Sequence, residues 1–160
     1  MRPHLDYGDV IYHNQRKDMM KLIEEVQYKA AIIVSGCWQG TSRVKLYDEL
    51  GWESLADRRW VRRLTTFYKI KNGIAPAYLS EHIPDHRAVN MSLRNRNALG
   101  LFSRTERYEN SFFPYCINNG NLLDDSVKSI PSLISFKNHL NNLIRETLFL
   151  EYKINLELSY

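Results

Sequence analysis

The stretch that most constrains this chain is residues 54–73, SLADRRWVRRLTTFYKIKNG. Wound at about 100° per residue, it sets Trp60, Val61, Leu64, Phe67 and Tyr68 on one side. Arg58, Arg59, Arg62 and Lys69 fall on the other side, with Arg63 at the flank. Ser54 with Asp57 three positions later gives a capping-box start, and Asn72-Gly73 gives a stop. An apolar side of this width must be buried against other elements, so the segment predicts a packed, mainly α domain. The segment as a whole holds six Lys/Arg against one acid, Asp57. A solvated helix face ordinarily mixes both signs, and Arg is suited to bidentate phosphate contact. The expectation is therefore a helix that buries its aromatics and presents guanidinium groups to RNA or DNA.

Charge elsewhere supports the same reading. Residues 87–107 hold five Arg, among them Arg94 and Arg96, against the single acid Glu106. Net charge is +4, so what remains of the chain sums to −5 and forms an acidic background to two basic blocks. The hydrophobic share of 44% is that of a globular protein, and 160 residues bury a core without metal or disulfides. Cys37 and Cys116 stand 79 positions apart with no CxxC pair, so reduced thiols are expected and a zinc site is not. With no apolar signal core and no run of ~18 apolar residues, the expected setting is intracellular, the nucleus being a candidate compartment, with no membrane partner.

Catalytic motifs are missing. Tyr7-Gly8-Asp9-Val10 resembles a polymerase palm turn, but Val10 stands where two-metal chemistry needs a second carboxylate. Asp124-Asp125 reads as a solvated turn, and Pro84 breaks the helical spacing between His82 and His86. GxSxG, Gly-rich phosphate loops and nucleophile pairs do not occur. No cofactor, no metal and no independent enzyme are expected.

Other helices are legible from periodicity and caps. Over residues 17–35, Met19, Leu22, Ile23, Val26, Ala30, Ile33 and Val34 share one 120° arc, which is the expected buried face. A short helix runs from a cap at Thr41 or Ser42 to Leu50, and another begins at Pro76 and stops before Pro84. Leu93, Leu99, Leu101 and Phe102 predict a small β-hairpin element. A helix is expected from Pro114 until Gly120 interrupts it. Ser132 caps a last one bearing Leu133, Phe136, Leu140, Leu143 and Ile144 and reaching about Leu150. The expected division is a helical subdomain over 1–83 and a mixed part over 84–160 with an Arg-rich loop or strand and a terminal helix.

Several strings occur in an order that resembles a known family. Arg2-Pro3-His4-Leu5-Asp6-Tyr7-Gly8-Asp9-Val10-Ile11-Tyr12 is followed by Val26-Gln27-Tyr28-Lys29-Ala30-Ala31, then by Leu46-Tyr47-Asp48-Glu49-Leu50-Gly51-Trp52-Glu53-Ser54-Leu55 and Arg58-Arg59-Trp60. Phe67-Tyr68-Lys69-Ile70, Pro76-Ala77-Tyr78-Leu79, Ser111-Phe112-Phe113-Pro114 and Phe136-Lys137 complete the series, which covers roughly residues 2–144. It resembles the segment after the polymerase core in non-LTR (LINE-like, jockey-like) retrotransposon reverse transcriptases. The resemblance implies a non-catalytic C-terminal fragment following a truncated thumb, with the carboxylates of RNA-directed DNA polymerase in a missing upstream domain. Met1 then reads as an internal methionine. A free-standing nucleic-acid-binding module and a functionless pseudogene remnant remain alternatives. Where the family usually has Trp, this chain has Gly120, which implies loose packing in the C-terminal half.

Overall fold

In chain order the helices are α1 (Asp9–Tyr12), α2 (Lys17–Ser35), α3 (Arg43–Leu50), α4 (Leu55–Lys71), a 3-10 helix (Ala77–His82), α5 (Glu106–Glu109), α6 (Phe112–Leu122), α7 (Asp125–Lys128) and α8 (Leu133–Glu157). They come from a computed structural model that describes residues 5–12, 17–84 and 101–157. α4 is the central element. Its start is capped as expected, Ser54 Oγ accepting from the Asp57 amide at 3.1 Å while its hydroxyl donates to Asp57 Oδ2. Val61, Leu64 and Tyr68 pack with Val127 and with Phe136, Leu140 and Ile144 of α8. The Tyr68 and Phe136 rings stack at 4.5 Å, and the Tyr68 hydroxyl donates to the Ile130 carbonyl at 2.7 Å. One turn along, Phe67 packs with Cys116 and Ile117 of α6. α4, from the first expected segment, thus supplies core to the helices of the second.

A separate apolar cluster joins α2 to α3 through Ala31, Leu46 and Tyr47, with Tyr28, Ile32, Leu50 and Trp52 around it. Gly51 closes α3 at φ +60°, a left-handed conformation that costs an L side chain ~1–2 kcal/mol. The turn sends Trp52 back to donate its amide to the Tyr47 carbonyl at 2.7 Å.

The inward face of α2 is not the one its apolar stripe predicts. Met19, Leu22, Val26, Ile33 and Val34 are exposed, whereas Gln27 and Ala31 are buried. The buried side lies roughly 110° around the helix from the apolar arc. Polar anchors select it. Glu24 accepts from the Tyr47 hydroxyl at 2.9 Å and from the Leu55 amide at 3.0 Å, placing a carboxylate on the N-terminus of α4. Gln27 donates to the Glu53 carbonyl at 2.9 Å and accepts from Arg58 Nη2 at 2.8 Å. These bonds satisfy donors that burial would otherwise leave unpaired.

Four smaller expectations also change. α6 begins at Phe112, with Pro114 in its first turn, and continues through Gly120 to Leu122, because its packing on Phe67 of α4 supports a residue of low helix propensity. The segment after Pro76 is a 3-10 helix, and α8 extends past Leu150 to Glu157. No strand forms among the described residues, so the β-hairpin is not supported. Leu101 and Phe102 lie in irregular chain before α5, and Leu93 and Leu99 fall outside the described residues.

Candidate nucleic-acid interface

The arginines of α4 do not form an open basic face. Residues 5–12 lie across that side of the helix, and their acids and carbonyls take up the guanidinium groups. Arg58 is within 3.3 Å of both oxygens of Asp6 and donates to Gln27 as well. Arg62 donates to the Asp6 carbonyl at 2.6 Å and pairs with Asp6 Oδ2 at 3.5 Å and Asp9 Oδ2 at 2.9 Å. Asp9 is 4% exposed. Arg59, 6% exposed, donates to the Leu5 carbonyl at 3.3 Å and contacts Met20 Sδ at 2.9 Å. Burial pulls the Arg59 pKa down, and the fields of Asp9, Asp6 and Glu24 oppose that shift.

Arg63 is held differently. It is 1% exposed, donates to the Asn110 carbonyl at 3.1 Å, and lies over the rings of Tyr115 at 4.1 Å and Phe112 at 5.9 Å. Its Nε and Nη1 have no hydrogen-bond partner. Burial lowers its pKa, Cys116 and Tyr115 opposing, yet a guanidinium starts high enough to stay charged, and ring faces supply its stabilisation. The same burial pushes the Cys116 thiol up to about 12.

Of the residues expected to meet phosphate, Arg59 and Arg63 are therefore sealed inside the fold, Arg58 is largely covered, and Arg62 is half-covered by two carboxylates. The expected solvent-facing arrangement of these four is corrected for a physical reason. A desolvated guanidinium needs acceptors, and Asp6 and Asp9 supply them locally. Lys69 is partly buried. Arg94 and Arg96 lie outside the described residues, while Arg104 and Arg107, at the end of the same block, are exposed. The pairing role of Asp6, Asp9, Glu24 and Gln27 is not read from the sequence, where Asp9 figures only in a palm-like turn. The available signal was an acid pair spaced i, i+3 ahead of a helix with four arginines and one acid.

Asp124 precedes α7, Asp125 pairs with Lys128 at 3.4 Å, and His82 packs 5.4 Å from the Phe113 ring. Among the described residues no group of three His, Cys, Asp or Glu could hold a metal ion, and no helix is long and apolar enough to cross a membrane. A cavity of about 70 Å³ opens between α4, α6 and α8, lined by Phe67, Tyr68, Gly120, Leu123, Lys128 and Phe136. It sits where Gly120 contributes no side chain.

No protein-family model, no curated protein and no solved structure matches this chain.

Proposed function

We propose that this chain is the non-catalytic C-terminal region of a non-LTR retrotransposon reverse transcriptase, a helical unit that joins the upstream polymerase and contributes RNA or DNA contact. The observation that carries the reading is that the strings behind the resemblance pack on one another. The first brings Asp6 and Asp9 to the arginines that the Arg58-Arg59-Trp60 string begins. The second supplies Gln27, Tyr28 and Ala31 to the seam with the third, which holds Leu46, Tyr47, Trp52 and Leu55. Such coupling fits a segment that fixes the direction of an upstream chain by charge pairing at residues 5–9.

In this reading nucleic-acid contact belongs to the Arg-rich block at 87–107 rather than to α4, because Arg104 and Arg107 are exposed while Arg59 and Arg63 are buried and Arg58 is largely covered by its partners. Phosphate contact is sequence-independent and steeply salt-dependent. The test is a salt titration of binding to one labelled oligonucleotide, as RNA and as DNA. Changing Arg94, Arg96, Arg104 and Arg107 to Gln should flatten the slope by roughly 0.9 per lost contact on duplex DNA. An unchanged slope, or no binding at low salt, would remove the nucleic-acid part of the reading. Primer extension by the purified chain above a mock preparation would remove the non-catalytic part.

A further inference from the structure

The apolar stripe of α2 faces outward. Met19, Leu22, Val26 and Ile33 are between 45 and 79% exposed, while Gln27 and Ala31 around the helix are buried. Met19, Val26 and Ile33 recur at seven-residue intervals with Leu22 between the first two, which is a seam and not a scatter of single surface residues. α2 has 19 residues and is therefore roughly 28 Å long.

We infer that two copies of this chain pair through α2, antiparallel about a two-fold axis at Val26. The stripe is close to palindromic about that residue. Met19 and Ile33 lie seven positions to either side, and Leu22 and Ala30 lie four. Overlaying two helices head to tail sets Met19 against the partner's Ile33 and Leu22 against the partner's Ala30, as an isologous interface requires. Charge favours the same direction. Glu25 and Lys29 share one flank of the stripe and both are solvent-accessible, Glu25 also pairing with Arg43 of its own chain at 3.1 Å. Antiparallel pairing brings each Lys29 about two residues, roughly 3 Å along the axis, from the partner's Glu25. A parallel pair would place that flank on the opposite side of the seam from the partner's, so Lys29 would not meet Glu25 across it.

Area decides how tight such a pair is. Each stripe offers on the order of 500 Å² of apolar side chain, the size of the largest contiguous patch on a monomer, which is often an interaction site. Two copies together remove on the order of 1,000 Å², the lower bound of a specific interface, so the pair is a reversible one and not an obligate dimer. The pairing stands on α2 alone and is independent of the nucleic-acid reading.

Sedimentation of the purified full chain from roughly 1 to 200 µM tests it, with the mass expected to rise from one chain to two across that range. Val26→Asp sets two carboxylates against each other on the axis and should raise the dissociation constant by at least about 100-fold. Because Val26 is half-exposed in the single chain, the melting temperature of dilute protein should hold. Should Val26→Asp fail to fold, Leu22→Gln with Ile33→Gln gives the same comparison. In a Cys37→Ser background, mild oxidation should cross-link Val26→Cys to itself. A mixture of Met19→Cys and Ile33→Cys proteins should give the mixed cross-link in preference to either homodimer. A single-chain mass at every concentration would overturn pairing, as would a mass rise indifferent to Val26→Asp, the sign of some other surface or partner. Predominant Met19–Met19 position cross-links would overturn the antiparallel arrangement.

Discussion

Replacing Asp9 by Asn removes one charge from the arginine hub and almost no volume. Asp9 Oδ2 lies 2.9 Å from Arg62 Nη1, and the carboxylate is nearly buried. The contact is Coulombic, since that oxygen accepts no well-directed hydrogen bond. At an effective dielectric near 20, charges this close attract by roughly 4–5 kcal/mol gross. Breaking a fully buried pair ordinarily costs about 3–5 kcal/mol. Here Arg62 keeps the Asp6 carbonyl at 2.6 Å, and its side chain is 40% exposed, so water recovers part of the loss. The net cost should be about 2 kcal/mol, with Arg59 feeling the weakened field as well. For a chain of this size that corresponds to a drop of about 4–8 °C in melting temperature. Thermal melts of Asp9→Asn, Arg62→Gln and the double variant measure it, and the double should cost less than the two singles added. An Asp9→Asn melt within 1 °C of the parent would refute the hub.

Five other outcomes are expected. Glu24→Ala leaves the Leu55 amide and the Tyr47 hydroxyl without their acceptor, and should cost about 2–3 kcal/mol in a urea melt. Gly120→Ala should stabilise by ~1 kcal/mol, because a Cβ there meets only Phe67 Cε1 at 3.8 Å and helix propensity improves. Gly120→Trp should cost ~1–3 kcal/mol by overpacking, since a cavity of about 70 Å³ is half the size of one that holds benzene, and unchanged melts would contradict both. Alkaline pH should destabilise the fold. Burial raises Cys116, and burial with the Glu24 bond raises Tyr47, each to about 12 in the folded chain. Their contribution is complete below the unfolded values of 9.0 and 10.0 and is lost as pH climbs toward 12. Urea melts at pH 8 and pH 11 would show it, and equal midpoints would contradict it. At pH 8 a maleimide should label Cys37 and spare Cys116 until the chain unfolds.

What the sequence determined by itself was local. Propensity and capping act between neighbours, so Ser54 with Asp57, the end of α3 at Leu50 and the aromatic side of α4 could be read without coordinates, and each is found in place. The apolar side of α4 stayed legible because Val61, Leu64 and Tyr68 meet α8 across a purely apolar seam. Tertiary structure decided everything that depended on which side of a helix meets which neighbour. Hydrophobic periodicity finds an apolar stripe but does not say whether this chain covers it. On α2 the polar bonds of Glu24 and Gln27, with Ala31 and Tyr47, turned the helix away from its stripe. On α4 the basic side looked solvated because its counter-charges lie about fifty residues earlier, at Asp6 and Asp9, and pairing at that separation leaves no periodic trace. A charge run states that acceptors are needed, and only the packed chain decides whether they are its own carboxylates or another molecule's phosphates.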